Sequence, residues 1–219
     1  MKFFIFLFVL TFPIFTIAQK EKSVHFLNEN GYEISKELYK EEYRNRKYNI
    51  SYLSITFEND TSYFIKPVKR KNYGRLSDNQ FEKLKSFIYN IKLDMTYQNK
   101  YSIIKYHPGR DRCNGGRVKY NGNKNHALGK KYIQKLQKSF NIKTFWIHKK
   151  DTTVNFKNSG WINWQVDKQQ IIEDLFFKYH YPCGSFVVIN NETKNYISIF
   201  GEYGASTVEE TVEEMIKKS

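Results

Sequence analysis

The chain is 219 residues long, 40% hydrophobic and 17% aromatic, which is enough apolar material for a packed core and excludes an intrinsically disordered chain. Its formal net charge is +14, a balance that favours anionic partners such as glycans, lipid surfaces or nucleic acid. The basic residues are scattered and no nucleic-acid motif accompanies them, so the simpler reading is a solvated, lysine-rich surface.

The first element in the chain reads as an export signal. Lys2 supplies a positive start, Phe3 to Ile17 is almost wholly apolar, and Thr16 and Ala18 give a small-residue cleavage pattern before Gln19. The apolar run is short for a membrane span of about 20 residues and is broken by Pro13, so cleavage is expected rather than anchoring. No cysteine stands beside the cleavage point to take a lipid, and no later segment is apolar for long enough to span a bilayer. Residues 1–18 are thus predicted to be a signal peptide. The mature chain keeps one charge fewer, +13, and is expected in the periplasm or at the cell exterior.

Residues 19–97 read as an α+β extension. Val24 to Leu27 and Tyr32 to Ile34 are extended around the turn signal Asn30-Gly31, and Ser35 begins a short charged helix reaching about Arg44. Ile50 to Phe57 and Tyr63 to Val68 are two β-rich runs, with Pro67 marking an edge or an end. Ser77 and Gln80 form a capping box, after which Phe81, Leu84, Ile88 and Ile91 line one helical face. The densest basic cluster, Lys66, Lys69, Arg70, Lys71 and Arg75, lies between these elements. Lys69, Arg70 and Lys71, together with Arg110 and Arg112 further on, are the candidate anion-binding residues.

Residues 98–219 are more regular. Tyr101 to Tyr106 is a strand, followed by a long loop rich in Gly, Asn and Arg; Lys130 to Phe140 is helical and Lys143 to His148 is a strand. Asp167 and Gln170 are expected to cap a helix bearing Ile171, Ile172, Leu175, Phe176 and Tyr179. Trp161 and Trp164, just ahead of it, are read as packing against the domain. Ser185 to Asn190 and Tyr196 to Phe200 form a hairpin, and Ser206 and Glu209 form a capping box opening a last helix with Val208, Val212, Met215 and Ile216 inward. The order is β-α-β-α-β-β-α. The two crossovers predict parallel strands, and the turn at Asn191 an antiparallel hairpin.

This order, with the proline turn Tyr181-Pro182-Cys183-Gly184 leading into a strand and a hairpin, resembles the thioredoxin-like fold over roughly residues 99–217. The resemblance implies an α/β thioredoxin-like domain in which the loop after the first strand lies beside the turn before the third, a turn that carries a cis-proline in that family. The chain departs from the family in having no C-x-x-C pair; Cys113 stands alone in Pro108-Gly109-Arg110-Asp111-Arg112-Cys113, and the only other cysteine is Cys183. If the two loops adjoin, Cys113 and Cys183 meet across 70 positions of sequence.

Three readings of that pair remain open. An exported chain with two cysteines favours a structural disulfide, worth roughly 4 kcal/mol for so long a loop in the chain-entropy picture. The same pair serves as a redox site if Arg110 and Arg112 lower a thiolate pKa. A metal site would add His107, His126 or His180 to the sulfurs, with His180-x-x-Cys183 at chelating spacing. Isolated loop histidines are commonly surface residues, so no metal and no cofactor are assigned. The resulting expectation is an exported thioredoxin-like protein in a binding or structural role, with an atypical thiol–disulfide oxidoreductase and a basic surface-binding protein as alternatives; its partner, a protein or an anionic surface, is not specified by the sequence.

Overall fold

In the computed structural model, residues 21–44, 51–90, 99–109, 130–150, 162–181 and 184–219 are described. They form a mixed α/β arrangement of two mixed sheets, of four and six strands, with five α-helices among the described residues.

The smaller sheet follows from the turn chemistry of the extension. Strands β1 (Ser23–Leu27) and β2 (Glu33–Ile34) pair antiparallel across a turn in which the Asn28 side-chain oxygen accepts the N–H groups of Asn30 and Tyr32. Gly31 there has φ +90°, a left-handed conformation that glycine adopts without steric cost. Strands β3 (Tyr52–Glu58) and β4 (Ser62–Lys69) form a second antiparallel pair, and β1 adds to β4 in parallel, giving the order β2-β1-β4-β3. The β1 register stops at Ile65, so Pro67 lies where β4 is locally an edge and its missing N–H breaks no ladder. Helix α1 (Lys36–Tyr39) is capped as expected, Leu38 N–H donating to Ser35 Oγ at 3.1 Å, and continues as a π-type turn over Lys40–Arg44. Its Tyr39 is fully buried against Phe26 and donates to Ser54 Oγ at 2.7 Å.

The larger sheet contains β5 (Lys71–Arg75), β6 (Tyr101–His107), β7 (Ile142–Lys149), β8 (Trp164–Asp167), β9 (Ser185–Asn190) and β10 (Asn195–Ile199), in the order β5-β10-β9-β6-β7-β8. Every residue of β6 and β9 is buried, as central strands covered on both faces require. Helices α2 (Asp78–Asn90) and α4 (Ile171–Phe176) cover one face, packing Phe81, Leu84, Ile172 and Phe176 on Ile104, Phe145, Ile147 and Val187. Helices α3 (Lys130–Phe140) and α5 (Ala205–Lys217) cover the other, packing Ile133, Leu136, Val208 and Val212 on Ile103, Trp146, Phe186 and Val188. At roughly 1.5–3 kcal/mol for each fully buried large apolar side chain, these two layers are the dominant stabilising term. The Ser77–Gln80 capping box is present in both directions, at 2.9 and 3.2 Å.

Four expectations need correction. First, β9 runs antiparallel to β6, with Tyr101 opposite Asn190 and Tyr106 opposite Ser185. The crossover after β7 contains β8, a third parallel strand, and then α4, whose six residues span only about 9 Å. So short a helix does not return the chain to the far end of the sheet, and β9 starts where β8 stops. Second, Asp167 does cap α4, accepting from the N–H groups of Ile171, Ile172 and Glu173, but the Gln170 side chain takes no part. Gln170 is the N-cap residue, in a left-handed conformation (φ 57°), and its side chain makes no cap bond. Third, α5 begins at Ala205 with Gly204 as its N-cap and no side-chain cap, so Ser206 already lies inside the first turn and the Ser206–Glu209 box does not form. Fourth, β5 and α2, grouped by sequence with the extension 19–97, belong to the larger sheet and its helical layer: β5 pairs with β10 from Lys71–Ile199 to Arg75–Asn195. The sheets part at Arg70, whose N–H donates to Ser51 O at 2.7 Å while its carbonyl accepts from Phe200 N–H at 2.8 Å.

Candidate functional site

The antiparallel β6–β9 pair determines which loops adjoin. The chain leaves β6 through Pro108 and Gly109 toward Cys113, and it enters β9 through Gly184 from Cys183, at the same end of the sheet. A parallel β9 would have separated these points by the length of the sheet. Cys113, Cys183, Pro182, Arg110, Arg112 and His126 themselves lie outside the described residues, as do Trp161 and the expected cis bond. Among the described residues no group of three His, Cys, Asp or Glu side chains is placed to hold a metal ion.

Just inside that end, on the face covered by α3 and α5, lies a lysine in the protein interior. Lys105 of β6 is 1% exposed. The strand registers put it in one rung across the sheet with Trp164, Trp146, Phe186 and Ile199. Its Nζ lies 4.8 Å from the Trp146 ring centroid and 5.1 Å from that of Tyr203, which itself stacks edge-on to Phe186 at 4.6 Å. The two ring faces stabilise an ammonium electrostatically but offer no acceptor to its three N–H bonds. Among the described residues Lys105 has no hydrogen-bond and no ion-pair partner, and burial alone drags its pKa down to about 7.

One step nearer the strand ends, His107 and His148 pair in register, both 7% exposed, with ring centroids 6.0 and 6.3 Å from that of Trp164. Their tautomers are opposed by their backbone contacts. Gly109 N–H donates to His107 Nδ1 at 3.1 Å, which leaves the proton on Nε2 in the neutral ring. His148 Nδ1 lies 2.8 Å from Lys149 O and must carry a proton to donate there. Both rings end strands on the side where open α/β sheets place their ligands.

The predicted anion-binding residues divide differently. Lys69, Arg70 and Lys71 are adjacent, yet each head group has an internal partner: Lys69 reaches Glu29 at 3.7 Å, Arg70 donates to the Phe200 and Glu202 carbonyls, and Lys71 pairs with Glu214. Arg75 likewise donates to Thr193 O at 3.1 Å. The cluster therefore ties the smaller sheet, β5 and α5 together. Lys105 was not singled out by sequence reasoning. Its signal is a charged residue on the same strand parity as Tyr101 and Ile103.

No family model, no curated protein and no solved structure matches this chain. No helix among the described residues is long and apolar enough to cross a membrane.

Proposed function

We propose that the chain is an exported thioredoxin-fold protein without a C-x-x-C dithiol, in a binding rather than a catalytic role, and that Cys113 and Cys183 close a structural disulfide at the carboxyl end of β6. The observation that carries this reading is the meeting of the end of β6 with the start of β9, each one loop away from a cysteine. The element order β6-α3-β7-α4-β9-β10-α5, with β8 inserted before α4, supports the thioredoxin-like resemblance. A disulfide requires Cα atoms within about 7 Å, an approach that adjoining loops at one sheet end allow and loops at opposite ends do not. The basic-surface alternative draws less support, because Lys69, Arg70 and Lys71 each have an intramolecular partner. The test is peptide mapping of the unreduced protein as exported. The expected result is a mature chain beginning at or near Gln19 and one linked pair of peptides holding Cys113 and Cys183. An intact Met1 on a membrane-bound species overturns the export reading, and two alkylatable thiols overturn the disulfide.

A further inference from the structure

Strand β1 carries a serine and a histidine two positions apart, Ser23 and His25, so both side chains stand on one face of the smaller sheet. Ser23 Oγ lies 2.9 Å from His25 Nε2, and His25 Nδ1 lies 2.7 Å from Glu33 Oε1. Glu33 reaches the ring from β2, where it stands opposite Leu27, the next residue of that face after His25. Hydroxyl, imidazole and carboxylate are thus linked in series, the arrangement in which a serine gains a base and the base gains an orienting group. One neutral tautomer satisfies both contacts: Nδ1–H donates to Glu33, and Nε2 accepts from Ser23. The Thr61 carbonyl, at 3.5 Å from Ser23 Oγ, is a more distant acceptor. Phe64, the register partner of His25, stacks on the imidazole at 5.2 Å and holds the ring plane.

The same two rungs of the sheet supply two further features. Ser62, opposite Ser23 on β4, places its hydroxyl 2.8 Å from Ser23 Oγ, where it can donate to negative charge developing beside that atom. Phe57, opposite Phe64 on β3, is 41% exposed and extends an apolar surface along the rung from His25. The His25 and Glu33 side chains are 30% and 63% exposed, so a small reagent reaches them from solvent.

We propose that Ser23 is an activated nucleophile that takes an acyl group from an activated carboxylic ester, with His25 as its general base and Glu33 as the residue that positions His25. Ser23 Oγ bonds to the carbonyl carbon while its proton passes to His25 Nε2. Collapse of the tetrahedral adduct breaks the ester C–O bond, and His25 returns the proton to the departing oxygen. The products are an acyl ester on Ser23 and a free alcohol or phenol. With Ser62 supplying a single hydroxyl and Glu33 facing solvent, the oxyanion is only modestly stabilised, which restricts the donor to esters with good leaving groups. The site lies on the smaller sheet and is independent of the binding role proposed for the cysteine end of the larger one.

The test is acetylation of the full mature protein by p-nitrophenyl acetate, followed site by site by peptide mapping and mass spectrometry, with the surface lysines as an internal reference. Ser23 is expected to be acetylated. His25→Gln is expected to slow that step by about 10²–10⁴-fold while the lysines keep their rates. Glu33→Gln keeps the size of the side chain but no longer favours the Nδ1–H tautomer, and it is expected to slow Ser23 about tenfold. An unmodified Ser23, or a Ser23 rate that either variant leaves unchanged, overturns the proposal and makes the three side chains a structural hydrogen-bond network of the sheet.

Discussion

Tyr106 of β6 stands directly opposite Ser185 of β9 in an antiparallel pair, and Ser185 Oγ in turn accepts the N–H of Gly201 at 3.2 Å. These two residues bring three separate loops to one end of the larger sheet: the one leaving β6, the one entering β9 and the one joining β10 to α5. The cysteines border two of these loops and the uncapped start of α5 borders the third. The pairing follows from the length of α4, which is too short to carry the chain back down the sheet.

The buried state of Lys105 gives a pH dependence with a definite sign. Its folded pKa is near 7 and its unfolded value is the ordinary one of roughly 10.4. Between those values the unfolded chain binds more protons, so stability rises with pH across the window from about 7 to 10.4; below it the penalty is constant. Lys105→Met is expected to remove that slope and to stabilise the protein at pH 6 by on the order of a few kcal/mol, because it leaves an apolar side chain in an apolar site. Urea unfolding of both proteins at pH 6, 8 and 10 checks this, and a variant less stable than the parent at pH 6 contradicts it.

Much of this architecture was legible in the sequence, and the gaps have physical causes. Helix α3 and strand β9 have the bounds that periodicity predicts, because each carries a clean apolar pattern. Strand β5, Lys-Asn-Tyr-Gly-Arg, has no such pattern; it is a strand because β10 pairs with it and because the Tyr196 ring lies over Gly74. Strand β8 is four residues long and parallel at an edge, where one neighbour decides its conformation. Asp167 was identified as a cap from its type, but its reach of four to six residues depends on the left-handed Gln170 that precedes α4. Lys105 was passed over because a lone lysine in a strand acquires meaning only once both sheet faces are known to be covered.

The β5–β10 contact gives a packing prediction. A Cβ at position 74 would enter the Tyr196 ring, which lies across the strand in the same register pair. Gly74→Ala is expected to destabilise the protein by about 1–3 kcal/mol, the usual cost of overpacking. In a Tyr196→Leu background the same change should cost markedly less, because the obstructing ring is gone. Equal costs in the two backgrounds, measured by denaturant unfolding, would show that the ring is not the obstacle.

Glu214 ties the same edge strand to α5. It accepts from Lys71, from Tyr73 Oη at 2.8 Å and from Lys218 at 2.8 Å. Burial by itself raises its pKa, but these donors outweigh it and hold the carboxyl down to about 2. A depressed carboxylate stabilises the fold above its unfolded pKa, near 4.3, and that contribution is lost as pH falls through about 2. Glu214→Gln is therefore expected to cost roughly 1 kcal/mol at pH 7, discounted for the partial exposure of the pair, and close to nothing at pH 2. A loss that is independent of pH would assign the effect to packing.

The central claim, that the cysteine pair is structural, is tested most directly by its reduction potential. The purified protein is equilibrated in glutathione buffers of graded ratio, and the Cys113 and Cys183 thiols are counted by mass spectrometry after alkylation. The account predicts a single two-electron couple below about −300 mV, resistant to the glutathione pool as structural disulfides are. A couple between about −230 and −120 mV, the range of proteins that exchange disulfides for a living, would contradict it and make the chain an oxidoreductase.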